Sequence, residues 1–421
     1  MRDATHKKEE NAMKREKLTR RCRLVLTCLL AMVLTLFSGN ISGYAGEVRG
    51  VTDNTINIGE LIALTGPAAN DAYPIYNAIK TYYKYVNDSG GIHGRNIKMI
   101  VEDDRYLVPS AIAAFKKLVF KDRVLYLQGP TASSQLVALM GQAEKEKIPI
   151  ISVTLGEKII EPFKRYNFTV ASLYGDQQAV VFDYIMKDLK LRNPRIAFVY
   201  PDNEYGKMAI DAARENAKRY GIKMVTEEVL NVGDIDATSV IMNLKRAKPD
   251  YVINQGYVIT TIAFFKDSKK YRLKTNFIGT YGACTEDAIK MLKGSEITTY
   301  LGNHCYSSWY EDEPGIARMR EITLKYHPGT EKQHNKLYPK FYTLGWLQTN
   351  IYVEALKRAG RNLNAETLVD ALETFREVDF GGISGPVTYT SKSHKANSYS
   401  RMYKADIDKE VFIPITGWRK P

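Results

Sequence analysis

The sequence predicts an α/β fold built on two parallel sheets, each covered by helices on both faces, and three observations predict it. From Thr55 onward, short β-branched runs alternate with amphipathic stretches in units of about 25 residues, the span of a βα repeat with short loops. The strands are too many for one compact core, so two sheets are required. The rhythm also breaks between residues 157 and 176, as it would where a chain crosses from one lobe to another. A length of 421 residues fits two or three domains at roughly 100–200 residues each. Hydrophobic residues at 44% and charged residues at 25% are ordinary for a globular chain and exclude a disordered, collagen-like or multi-span membrane protein.

Residues 1–45 stand apart from this pattern. Lys14, Arg15, Lys17, Arg20, Arg21 and Arg23 precede an apolar run of 14 residues at 24–37, and Gly43 and Ala45 are the small residues a signal peptidase accepts. That order is a secretory signal, and Met13 offers an alternative start. The run is shorter than the roughly 17–25 residues that span a bilayer. Cys28 lies inside the run and not after it, so no lipid anchor is expected. The chain remaining after cleavage carries 51 basic and 43 acidic residues, a charge of +8 against +13 for the whole. Its basic residues are scattered among acidic ones, so no nucleic-acid partner is implied. Cys284 and Cys305, 21 residues apart, exclude a close CxxC pattern and leave one bridge or two buried thiols open.

The first strand reads at 56–62 by its alternation. A Thr65-Gly66-Pro67 loop leads to a helix with Ile75, Ile79, Tyr82 and Val86 on one face, stopped at Gly90-Gly91. Strands at 97–101, 124–127 and 149–153 follow, with helices over 110–120 and from Ser133 between them. The alternation resumes with strands at 195–200, 222–229, 251–254 and 277–279. A long helix over 338–359 turns Leu344, Leu347, Ile351 and Ala355 inward and ends at Gly360. The end of the chain is β-rich, with a short strand at 386–389.

Catalytic constellations are missing. His93, His304, His327, His334 and His394 form no metal-ligand spacing and read as surface or loop residues. There is no GxSxG elbow and no GxxxxGK loop. The glycine-rich stretch 90–95 follows a helix and precedes a strand, the reverse of the order a phosphate cradle needs. No enzyme, metal or cofactor is expected.

Several stretches then carry a resemblance. They are Ile56-Asn57-Ile58-Gly59 with Leu64-Thr65-Gly66-Pro67, Asn87-Asp88-Ser89-Gly90-Gly91-Ile92-His93-Gly94-Arg95, and Val101-Glu102-Asp103-Asp104. Gly129-Pro130-Thr131-Ala132-Ser133-Ser134, Asp202-Asn203-Glu204-Tyr205-Gly206 and Phe380-Gly381-Gly382-Ile383-Ser384-Gly385-Pro386-Val387 continue the series in order. The chain resembles the leucine/isoleucine/valine-binding-type periplasmic receptors. That resemblance implies a type I periplasmic-binding fold, two doubly wound lobes joined by three crossovers, with ligand held in the cleft between them. It places lobe 1 at 47–172 with 304–378 and lobe 2 at 173–303 with 379–421. It also implies an exported solute-binding protein in the periplasm, whose partners are the permease and ATPase subunits of an ABC importer. A ligand-sensing receptor module of the same fold is the alternative.

The resemblance assigns ligand contacts one residue at a time. Ser133 matches the serine that binds the ligand carboxylate, although as a helix-start residue it could equally serve as an N-cap. Tyr205 matches a tyrosine contributed by the second lobe on closure, and Thr154 a position whose backbone carbonyl faces the ligand amine. Tyr257 matches a cleft aromatic, and Tyr73 is placed at the cleft mouth. Two departures stand out: the family's carboxylate-binding threonine falls on Gly156, and the acid that pairs with an ammonium falls on Tyr281. A small carboxylate is therefore the expected ligand. An organic acid without an α-amine fits the tyrosines best, unless a nearby acid such as Glu286 or Asp71 takes over the pairing.

Overall fold

The computed structural model describes residues 48–421, together with residues 13, 14 and 20. Apart from those three positions, the export segment read at 1–45, including Cys28, lies outside the described residues. Arg49–Pro421 forms one compact unit. Among the described residues no helix is long and apolar enough to cross a membrane.

Two sheets organise this unit. The first has the order β2-β1-β3-β4-β5, comprising β1 (Thr55–Ile62), β2 (Asn96–Asp103), β3 (Leu127–Gln128), β4 (Ile150–Ser152) and β5 (Asn167–Thr169). All its pairings are parallel, and β1 matches β2 from Thr55↔Asn96 to Ile62↔Asp103. The second has the order β12-β11-β10-β9-β8-β6-β7. Its parallel strands are β6 (Ile196–Tyr200), β7 (Thr226–Val229), β8 (Tyr251–Asn254), β9 (Thr275–Thr280) and β10 (Ile297–His304). The antiparallel pair β11 (Arg401–Asp406) and β12 (Val411–Pro414) closes one edge. In chain order the principal helices are α1 (Ala69–Asp88), α2 (Val108–Lys116), α3 (Ser133–Glu146), α4 (Tyr174–Asp183), α5 (Glu204–Arg219), α6 (Thr238–Ala247) and α7 (Val258–Lys270). After β10 come α8 (Pro314–Tyr326), α9 (Lys340–Ala359) and α10 (Ala365–Leu372).

The long helices form where their apolar period demands. Ile75, Ile79 and Val86 of α1 are buried, as are Leu344, Leu347, Ile351 and Ala355 of α9. The two helices pack together so closely that a Cβ on Gly345 would sit 2.5 Å from the Ile75 carbonyl oxygen, so glycine is required there. This contact brings α9 back to the first sheet's helix layer, although β10 before it and β11 after it belong to the second sheet. The chain thus passes between the halves three times: after β5, after β10 and before β11.

Several sequence expectations shift. Of the 124–127 run only Leu127 enters the ladder, followed by Gln128, and the 222–229 strand shortens to β7. The stretch 386–389 makes one isolated bridge, Val378↔Val387, instead of a strand. β5 lies inside the stretch where the rhythm breaks, and β10 carries polar residues in buried positions. The histidine reading also needs correction at two residues. His304 is buried on β10, and its ring pairs with the Cys284 carbonyl at 3.2 Å. His394 is buried against the Phe168 ring, with centroids 3.7 Å apart. Burial holds both below the usual imidazole pKa. Cys284 and Cys305 are free, buried thiols, each pushed up to about 12 by burial.

Candidate functional site

Parallel strands leave their carboxyl ends, and the helix amino termini that follow, facing the same way, which is where α/β proteins bind ligands. Both sheets here turn those ends toward one narrow cavity. The turn after β3 is tight: Gly129 adopts φ 88°, and a Cβ there would lie 1.9 Å from the Leu61 carbonyl oxygen. It delivers Thr131 and Ser133 to the cavity wall.

Ser133 is buried, and its Oγ makes no close hydrogen bond; the Tyr174 hydroxyl is a looser neighbour. It is not the N-cap. That position is Ala132, whose N–H donates to Gln135 Oε1 at 3.1 Å. A buried hydroxyl therefore faces the cavity beside a helix amino terminus, where the unpaired N–H groups and the helix dipole favour an anion.

The second sheet supplies aromatic walls. Tyr205, in the first turn of α5, donates its hydroxyl to the Gly256 carbonyl at 3.0 Å. Its ring packs against Tyr174 at 5.2 Å and Tyr257 at 5.3 Å between centroids. The Tyr257 hydroxyl accepts from Asn203 Nδ2 at 2.9 Å and pairs with the Tyr106 hydroxyl at 2.7 Å. The Tyr281 hydroxyl donates to the Val153 carbonyl. The last two contacts join the halves across the cavity, so the structure is closed. Tyr106 and Tyr281 both hold left-handed backbone, φ 63° and 48°, a strained state for bulky residues that clusters at functional sites. Burial raises the Tyr106, Tyr205 and Tyr281 hydroxyls well above the phenol range and Tyr257 to about 12. They are neutral donors and acceptors at physiological pH.

One carboxylate faces these rings. Asp71 lies in the first turn of α1, is buried, and lines the cavity one helical turn before Ile75. Burial pushes its carboxyl up to about 7; the Val258 N–H at the start of α7 opposes this and Asp287 adds to it. No Lys, Arg or His lines the cavity.

Of the residues expected from sequence, Ser133, Tyr205, Tyr257 and Tyr281 meet here. Thr154 is buried but is not on the wall, because its hydroxyl pairs with Ser152 Oγ at 2.9 Å, and Val153 takes the lining position. Tyr73 is 48% exposed: two residues past Asp71 is about 200° around a helix, the opposite face. At Gly156 a Cβ would lie 2.2 Å from Met208 Cε, so the expected threonine would need the flexible Met208 side chain to move. Glu286 lies off the cavity and accepts from the Tyr310 hydroxyl at 3.0 Å. Sequence reasoning missed Tyr106, Tyr174 and Phe341 as wall residues. Tyr174 alone left a signal, as an aromatic where the strand–helix rhythm resumes.

Comparisons with known proteins fit this geometry. The profile of the family described as "Periplasmic binding protein" matches residues 55–410. The chain is 26% identical over 250 residues to the Leu/Ile/Val/Thr-binding protein of Salmonella typhimurium, covering 59% of this chain and 67% of that protein. It is 27% identical over 203 residues to the Leu/Ile/Val-binding protein BraC3 of Rhizobium johnstonii, covering 48% of this chain and 54% of that one. Among solved structures, a branched-chain amino acid ABC transporter protein from Thermus thermophilus with bound valine superposes at a TM-score of 0.79, with 22% identity over 87% of this chain and 97% of that one. A fatty acid ABC transporter substrate-binding protein from Thermomonospora curvata superposes at 0.78, with 20% identity over 89% and 94%.

Proposed function

The chain belongs to the periplasmic binding protein family, and from that premise we propose that it captures a small carboxylate ligand between its two halves and delivers it to an ABC importer. The carrying observation is the buried, unpartnered Ser133 hydroxyl at the amino terminus of α3, aimed into a cavity walled by both sheets. A carboxylate placed there would accept from Ser133 and from the free N–H groups of the helix start.

The lobes divide in this reading at 47–172 with 304–378 and 173–303 with 379–421, supported by the strand order of the two sheets and by the packing of α9 on α1. Capture works by hinge closure, since a ligand touching both halves favours the closed state. The protein acts outside the inner membrane after cleavage near Gly46, with a permease and an ATPase as partners and no enzymatic step of its own. Native mass spectrometry of the purified protein tests the reading. A small acid should be retained in the wild type and lost in Ser133→Ala; a protein that binds no carboxylate, or binds one equally well without Ser133, overturns it.

A further inference from the structure

Building on that reading, we infer that Asp71 is the counter-ion for a protonated amine on the ligand, so that both charged ends of the ligand are held by helix starts of the first half. The argument begins with what the cavity contains. Its walls offer tyrosine hydroxyls, apolar surface, one unpartnered serine hydroxyl and a single carboxylate. That carboxylate forms no ion pair among the described residues, and the Val258 backbone N–H from α7 is a donor that favours its charge. A buried charge without a partner is costly, and no protein cation is on the wall to supply one.

The rings around it narrow the partner. Tyr106, Tyr205 and Tyr257 all lie close enough to sense the Asp71 charge. They present hydroxyl oxygens and π faces, which accept N–H donors and attract cations. Their centroids stand 5.3–5.8 Å apart where they pack, leaving no ring-walled chamber for a bulky quaternary ammonium. A primary ammonium, compact and with three donors, matches the site. The acid expected opposite the ligand amine is absent from the second half, where Tyr281 stands instead. Asp71 provides the missing charge from the first half.

The test uses the purified chain stripped of ligand by unfolding and refolding, screened by thermal shift and then titrated by calorimetry. The probes are the common amino acids and, for each, the acid lacking the α-amine. Amine-bearing probes should supply the stabilising ligands. Asp71→Asn, which keeps an acceptor for the Val258 N–H, should weaken them at least tenfold while leaving the ligand-free fold intact by circular dichroism. Binding of a deaminated acid as tight as its amine partner overturns the inference, and so does an unchanged affinity in Asp71→Asn or a screen in which no amine-bearing probe binds. If deaminated acids bind and lose affinity in Ser133→Ala, the carboxylate site stands and only the amine assignment falls. If binding ignores Ser133→Ala, Tyr205→Ala and Asp71→Asn alike, the cavity itself is the wrong site.

Discussion

Replacing Ser133 by alanine separates a ligand contact from a structural cap more cleanly than any other change in the cavity. The hydroxyl is buried and unpartnered in the closed protein, and the start of α3 is capped by Gln135. Deleting it therefore removes no close intramolecular hydrogen bond, only a looser contact with the Tyr174 hydroxyl. A buried hydroxyl without a partner costs about 1–3 kcal/mol, so the ligand-free variant should melt at the wild-type temperature or roughly 1–2 °C above it. Binding should respond in the opposite sense. A hydrogen bond to a charged carboxylate contributes about 1.5–3 kcal/mol, which is roughly a tenfold to hundredfold loss of affinity. Calorimetric titration with the ligand that co-purifies, alongside differential scanning calorimetry of the empty protein, reads both. A lower melting temperature with unchanged affinity would show that the serine braces the helix, and the reasoning would be refuted.

Other consequences follow from neighbouring contacts. Tyr281→Phe deletes the cross-cavity bond to the Val153 carbonyl and should weaken closure by about 1 kcal/mol, seen as a larger radius of gyration in ligand-bound small-angle scattering; an unchanged radius and affinity would argue that this bond adds nothing to closure. Gly156→Thr should impair binding because its side chain meets Met208, and Met208→Ala in the same chain should restore it; failure of that rescue would place the defect elsewhere. Asp71 makes two pH statements. Its folded carboxyl lies near 7, above the roughly 3.9 of an unfolded aspartate, so the stability it contributes is present at low pH and lost as pH rises through 7. Asp71→Asn should thus raise the melting temperature of the empty protein at pH 8, less so at pH 5, and leave it nearly unchanged only below about pH 4, and a drop at pH 8 would contradict the burial argument. An amine ligand needs the ionised form, so its dissociation constant should rise about tenfold from pH 8 to pH 6. Over that window the facing groups Tyr106, Tyr205 and Tyr257 stay neutral, while Asp287, raised by burial and opposed by Lys290, remains the one neighbour to control by substitution. A constant that falls toward pH 6 would point to an acid accepting a hydrogen bond from protonated Asp71.

How much of this was legible depends on whether local pattern or tertiary partners decide each residue. The helices α1 and α9 announce themselves because their buried faces repeat at helical spacing, and Gly90-Gly91 and Gly360 stop them. β10 hides because Asn303 and His304 are polar and buried, and their partners, Ser400 at 3.1 Å and the Cys284 carbonyl, come from distant chain. β3 is read too early, at 124–127 instead of Leu127–Gln128, because two residues carry no period. In the cavity, Ser133, Tyr205 and Tyr257 are readable from their places at strand-to-helix junctions. Asp71 is legible only as one of two acids that could pair with an amine, beside Glu286, since an acid in a first helical turn ordinarily serves the helix dipole in solvent. Only the arrival of α7 from the other half buries it, and nothing near residue 71 encodes that arrival.

These placements bear on why the protein would close on ligand and not on water alone. In the closed state two hydroxyl contacts, Tyr106 with Tyr257 and Tyr281 with the Val153 carbonyl, already bridge the halves. Each contributes only about 0.5–1.5 kcal/mol net, and both exchange with water on opening. Against them stand an unpartnered Ser133 hydroxyl and an Asp71 carboxyl buried without a counter-ion, costs that opening relieves. The empty closed state is therefore held near balance, and a ligand shifts it only by its differential affinity for that state. Moving a population from one part in a hundred to ninety-nine requires about 5.5 kcal/mol of such preference. A carboxylate on Ser133 at about 1.5–3 kcal/mol falls short by itself. A second charge-assisted contact at Asp71, on a cavity that residues of both halves line, would supply a term of the same size.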